Sequence, residues 1–159
     1  FCCFVSITNY LIFFNLCKKS IIMIHNTLLS WKGNMEFETE LNGHKLTLDA
    51  SPEVGGTDKG PRPKMLMLTA LAGCTGMDVV SILKKMKVEF DEFNVRVDGS
   101  LSEEHPKYYE TMNVIYEFKG KDLTEDKLKK AIELSQEKYC GVSALYKKAI
   151  KLTYEIKIL

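Results

Sequence analysis

The chain has 159 residues, 27% of them charged and 45% apolar, enough for one domain with a single core and too apolar for a disordered chain. Its 22 basic and 21 acidic side chains leave a formal net charge of +1, without the basic excess of a nucleic-acid binder, so no nucleic acid is expected as a partner. Three scattered histidines (His25, His44, His105) and five cysteines lacking a C-x-x-C pair argue against a zinc site and against a disulfide-stapled secreted fold, so no metal is expected.

In chain order, Phe1 to Leu16 is almost continuously apolar and is followed by Lys18 and Lys19. A signal peptide carries its basic residues before the apolar run and small residues after it, and neither holds here. A membrane span needs about 20 apolar residues, more than this run supplies. Residues 1–22 therefore read as an apolar extension outside the domain, with Met23 a candidate start and 23–159 the domain; a membrane anchor or uncleaved leader is the alternative. Membrane contact is not expected beyond that stretch, and the expected location is cytoplasmic.

From Met35 the pattern alternates: Met35, Phe37, Thr39 and Leu41 on one face, Glu36, Glu38 and Glu40 on the other, as in a half-buried strand. Asn42-Gly43 predicts a tight hairpin, with Leu46 and Leu48 on the returning strand. Ser51 to Pro63, rich in Gly and Pro, reads as a flexible loop; no Gly-Lys-Ser/Thr closes a phosphate loop around Gly55, Gly56 and Gly60. Pro63 suits the first position of a helix that runs to about Lys85. Met65 to Ala72 is apolar on nearly all sides, the mark of a central buried helix.

Strands are expected at Val88–Asp98, with a bulge near Asp91-Glu92 where the alternation changes phase, and at Tyr108–Phe118. Thr124 is a good N-cap for a helix whose stripe is Leu128, Ala131, Ile132, Ser135 and Tyr139. Cys140-Gly141 breaks it, a short helix comes next over Val142 to Lys148, and alternation from Ile150 to Ile158 closes the chain as a strand. Strands, buried helix, strands, helix and strand make an α+β fold without a regular βαβ repeat.

Two segments carry a resemblance. GPRPKMLMLTALAGCTGMDVVSILKKM, followed some fifty residues on by KYCGVSALYKKAIKLTYEI, resembles the OsmC/Ohr family from about Leu29 to the C-terminus. The likeness is to the branch whose central helix carries Ala-Gly-Cys-Thr and then Asp-Val-Val. It implies an intertwined homodimer, long central helices packed against antiparallel sheets, and active sites at the subunit interface. It implies thiol-dependent reduction of organic hydroperoxides, with catalytic Cys74 attacking the peroxide, Cys140 condensing with it, no cofactor, and an external dithiol as reductant.

Met65, Leu66, Met67 and Leu71 are the candidate walls of a substrate pocket, with ordinary core as the alternative for each. Asp78, one turn past Cys74, reads as a polar anchor, since a nearby anion opposes thiolate formation. The family's peroxidases carry an acidic residue after the helix-opening proline, partnered by an N-terminal arginine. This chain has Lys64 there, and its only arginines are Arg62 and Arg96. Arg62 and Lys64 are the candidate thiolate-stabilising cations, reaching a partner subunit's thiol more easily than their own, because Lys64 lies ten positions and about 15 Å from Cys74 along the helix. The alternative function is a non-enzymatic binding or redox-sensing module for a small apolar ligand.

Overall fold

The structure, a computed structural model, describes residues 23–159. The expected extension at 1–22, with Cys2, Cys3 and Cys17, lies outside the described residues. Strands β1 (Ser30–Gly33), β2 (Glu36–Leu41) and β3 (His44–Leu48) form an antiparallel sheet, followed by helix α1 (Pro63–Lys85). Strands β4 (Glu92–Leu101) and β5 (Tyr109–Lys119) come next, then helix α2 (Glu125–Leu134), a π-helical turn at Ser135–Tyr139, helix α3 (Gly141–Tyr146) and strand β6 (Lys151–Ile158).

The second sheet has the order β4-β5-β6. β4 pairs antiparallel with β5, placing Phe93 opposite Phe118 and Val95 opposite Tyr116. β6 runs parallel to β5, so this sheet is mixed where only antiparallel pairing was expected. A parallel return needs a long crossover, and α2, the π-helical turn and α3 supply it. This is the one β-α-β unit in the described chain.

The core forms where α1 and α2 cover this sheet. Leu71, Val79 and Leu83 of α1 meet Met112, Val114, Tyr116 and Phe118 of β5 and Leu128, Ala131 and Ile132 of α2. Phe93 stacks on Phe118 with ring centroids 4.5 Å apart. Burial of each such large side chain is worth about 1.5–3 kcal/mol. No residue of the first sheet belongs to this cluster.

Several boundaries differ from the sequence reading, each for a local reason. β1 is short and has no clear alternation, so the pattern beginning at Met35 hid it; Gly33 and Asn34, both at positive φ, turn it into β2. On β2 only Thr39 is buried, while Met35, Phe37 and Leu41 lie exposed in the single chain. The bulge expected near Asp91 is absent: β4 starts at Glu92, and the phase change marks the strand's beginning. The irregularity lies at the other end, between Ser100 and Leu101. α1 buries only one stripe (Leu71, Thr75, Val79, Ile82 and Leu83) and leaves Met65, Met67 and Met77 open, so it is not buried on all sides within one chain.

The loop between β3 and α1 is organised rather than loose. Asp49, 2% exposed, accepts hydrogen bonds from the N–H groups of Ala50, Thr57 and Lys59 and from the Thr57 hydroxyl. Gly56 and Gly60 press against the backbone before them: a Cβ would come within 2.0 Å of the Ala50 carbonyl oxygen and 2.2 Å of that of Thr47. The glycines are there for close approach, which composition alone reads as looseness. Burial works to raise the Asp49 pKa, but the hydrogen bonds of Thr57, Lys59 and Ala50 outweigh it and hold the carboxyl at about 2 instead of 3.8.

A carboxyl with a depressed folded pKa contributes its full stability above its unfolded value and loses it as pH falls through the folded one. Thermal melts should therefore show a loss of stability as pH falls from 3.8 towards about 2 that is smaller in Asp49→Asn. Identical acid profiles would remove Asp49 as the loop's organiser.

Candidate functional site

The site is built where α1 passes the crossover. Thr75 faces into the core from mid-α1, which turns its neighbour Cys74 to the half-buried edge of the same helix. The Thr75 hydroxyl lies 2.6 Å from the Tyr116 hydroxyl of β5 and 2.9 Å from that of Ser135. Gln136 donates to Tyr116 Oη at 3.1 Å, and Ser135 Oγ donates to Asp78 Oδ2 at 3.1 Å. Thr75, Tyr116, Ser135 and Gln136 are all buried, so this hydroxyl cluster ties α1, β5 and the π-helical turn in a water-poor setting.

Cys140 reaches the site because the second helix changes pitch. Its N–H donates to the Ser135 carbonyl at 2.7 Å, the five-residue spacing of a π turn. The extra residue rotates the chain beyond it. Gln136 turns inward and Tyr139, expected on the apolar stripe, is 55% exposed. Cys140 itself is extended (φ −75°, ψ 100°) and 2% exposed, and its Sγ accepts from Ser143 N–H at 3.3 Å.

Both cysteines are free thiols. The two sulfurs and a carboxylate oxygen of Asp78 all lie within 4.8 Å of one another. Burial pushes the Cys74 thiol above its ordinary value of 9.0; the hydrogen bond with Cys140 and the negative charges of Cys140 and Asp78 add to that rise. The N–H of Val142 works the other way.

The remaining expected residues lie apart from this cluster. Arg62 pairs with Asp58, and Lys64 donates to the Lys107 carbonyl at 2.8 Å. Leu71 is wholly buried in the core. Met65 accepts a weak bond from Tyr109 Oη, Leu66 is half-buried, and Met67 lines a 560 Å³ cavity with Tyr108, Tyr109, Met112, Leu145 and Tyr146. Of the four, Met67 alone lines that cavity. Thr75, Tyr116, Ser135, Gln136 and Val142 belong to the site without standing out in the sequence. A signal exists for three of them: Thr75, Tyr116 and Ser135 are polar groups on otherwise apolar stripes.

Residues 56–155 match the family described as OsmC-like protein. The chain belongs to the OsmC-like family. It is 30% identical to protein YhfA of Escherichia coli K12 over 131 residues, covering 82% of this chain and 95% of that protein. The crystal structure of a hypothetical protein from Aquifex aeolicus VF5 is 31% identical, with a TM-score of 0.74 over 87% of this chain and 99% of that one. An organic hydroperoxide resistance protein from Elizabethkingia anophelis superposes with a TM-score of 0.67 over 87% of this chain and 100% of that one at 14% identity, a likeness of fold.

Thr75→Val leaves the Tyr116 and Ser135 hydroxyls short of a buried partner and should cost about 1–3 kcal/mol in urea unfolding; an unchanged midpoint would show the cluster to be unimportant. Asp78→Asn removes an anion that raises the Cys74 thiol, so the pH midpoint of Cys74 alkylation should move down; a midpoint that stays put or rises would remove that charge effect.

Proposed function

We propose that this OsmC-like protein reduces organic hydroperoxides through Cys74 and Cys140, with an external dithiol as reductant. The observation that carries the proposal is the pair of free thiols, one half-buried and one buried, whose sulfurs lie within 4.8 Å of each other where the crossover meets α1. The Cys74 thiolate attacks the terminal oxygen of the peroxide. The O–O bond breaks, the alkoxide leaves and takes a proton as the alcohol, and Cys74 becomes a sulfenic acid. The Cys140 thiolate then attacks that sulfur and hydroxide leaves as water. The dithiol returns two electrons and two protons to the resulting disulfide.

The working unit in this proposal is a homodimer. It is supported by the apolar surface one chain leaves open: Met65, Met67 and Met77 on α1, and Trp31, Phe37 and Leu41 on a first sheet outside the core. A groove lies between Gly73, Gly76 and Met77 of α1 and Phe93 and Val95 of β4. Among the described residues of one chain no cation opposes the rise in the Cys74 pKa, so Arg62 or Lys64 of a second copy is given that task. A cytoplasmic location fits a cycle that begins from free thiols. The 560 Å³ apolar cavity beside Met67 favours a second reading, in which the chain binds a small apolar ligand without turnover.

With cumene hydroperoxide and a dithiol, residues 23–159 should consume peroxide. Cys74→Ser should abolish turnover, and Cys140→Ser should stop at one equivalent of sulfenic acid. A folded protein with free thiols and no turnover above the Cys74→Ser control would move the assignment to ligand binding. In the dimer, Arg62→Ala or Lys64→Ala should raise the pH midpoint of Cys74 alkylation; no shift in either would remove the proposed cation.

A further inference from the structure

We infer that Cys74, Cys140 and Asp78 form a binding site for a thiophilic divalent cation of the zinc class, with solvent as the fourth ligand. Their donor atoms are already gathered, all within 4.8 Å of one another. A tetrahedral ion bound by two sulfurs and one carboxylate oxygen sets those atoms about 3.5–3.8 Å apart, given metal–sulfur and metal–oxygen bonds of about 2.3 and 2.0 Å. From separations of up to 4.8 Å the set therefore has to close by about 1.3 Å at most, a change that side-chain rotation can supply.

The scaffold suits the ion in three further ways. Cys74 and Asp78 stand one turn apart on the same face of α1, and Cys140 comes in from the crossover, so two fixed elements present the ligands. Two of the ligands are also oriented from behind: Asp78 by the Ser135 hydroxyl and Cys140 by Ser143 N–H. Such supporting bonds aim ligands at an ion. Finally, Cys140 is buried while Cys74 and Asp78 are half-exposed, which leaves one side of the cluster open to water and to an entering ion.

The donor types decide which ion. Two thiolates select zinc-like ions over magnesium and calcium, which take oxygen ligands. The site also gives Asp78 a purpose that peroxide chemistry does not, since beside a nucleophilic sulfur its charge hinders the thiolate. A bound cation occupies both sulfurs, so metal occupancy and attack on peroxide exclude one another. The inference stands on the positions of the three side chains and needs no turnover.

The test titrates fully reduced protein, residues 23–159, with cadmium in the absence of oxygen, following the ultraviolet thiolate-to-cadmium charge-transfer band, with zinc as competitor. One equivalent per chain should saturate the band, and zinc should displace it. Cys74→Ser and Cys140→Ser should each abolish saturation, and Asp78→Ala should weaken affinity about tenfold or more. Circular dichroism checks folding; if Asp78→Ala unfolds, the near-isosteric Asp78→Asn replaces it with the same expectation. No saturable band in the reduced wild type overturns the site, as does unchanged affinity in the folded Asp78 variant. Cadmium binding by a protein without peroxidase turnover would leave this site standing and remove the peroxidase proposal, and turnover without a band would do the reverse.

Discussion

The Thr75 hydroxyl stands where three parts of the chain meet, and the geometry of the cysteines depends on it. It bonds Tyr116 from the central strand and Ser135 from the end of α2, and Ser135 in turn bonds Asp78. The helix that carries Cys74 is thereby fixed in rotation against the sheet, and the turn that delivers Cys140 is fixed against the helix. Apolar packing between α1 and β5 would tolerate some sliding. Buried hydroxyls do not, because each one left without a partner is costly. Burial pushes the Tyr116 hydroxyl pKa up while its bonds to Thr75 and Gln136 act the other way.

The same burial creates a tension at the sulfurs. It draws a half-buried thiol towards a buried one, and at Cys74 it disfavours the ionised form that thiol chemistry requires. Within the chain, the backbone N–H of Val142 in the crossover is the counterweight at Cys74. Asp78 weighs on the opposite side. The two proposals would relieve that imbalance differently, the peroxidase reading by a cation from a second copy and the metal site by a bound ion.

Much of the fold was legible in the residues and some of it could not have been. Pro63 marked the start of α1, Asn42-Gly43 marked the turn between β2 and β3, and the alternation in β5 and β6 marked both strands, because these signals are local. The two cysteine neighbourhoods announced the family. The direction of β6 was not legible, since a strand's own pattern is the same whichever way its neighbour runs. Nor was the ordered loop after β3, where one buried carboxylate reverses what its glycines and prolines suggest. The grouping of Cys74, Asp78 and Cys140 leaves no metal-ligand spacing in the sequence, because one of its three members is far from the other two in the chain.

The π-helical turn has a consequence for how this sequence can change over time. It equals an α-helix with one residue inserted, and it sits directly before Cys140. Removing any one residue from Ser135–Tyr139 would restore regular pitch and rotate the chain after it by about 100°. Cys140 would swing off the face that meets α1, while composition, hydropathy and net fold would scarcely alter. The exposed positions of this segment, Glu137, Lys138 and Tyr139, can drift by point substitution, but its length is locked. In relatives that keep both cysteines, gaps in an alignment should avoid these five positions.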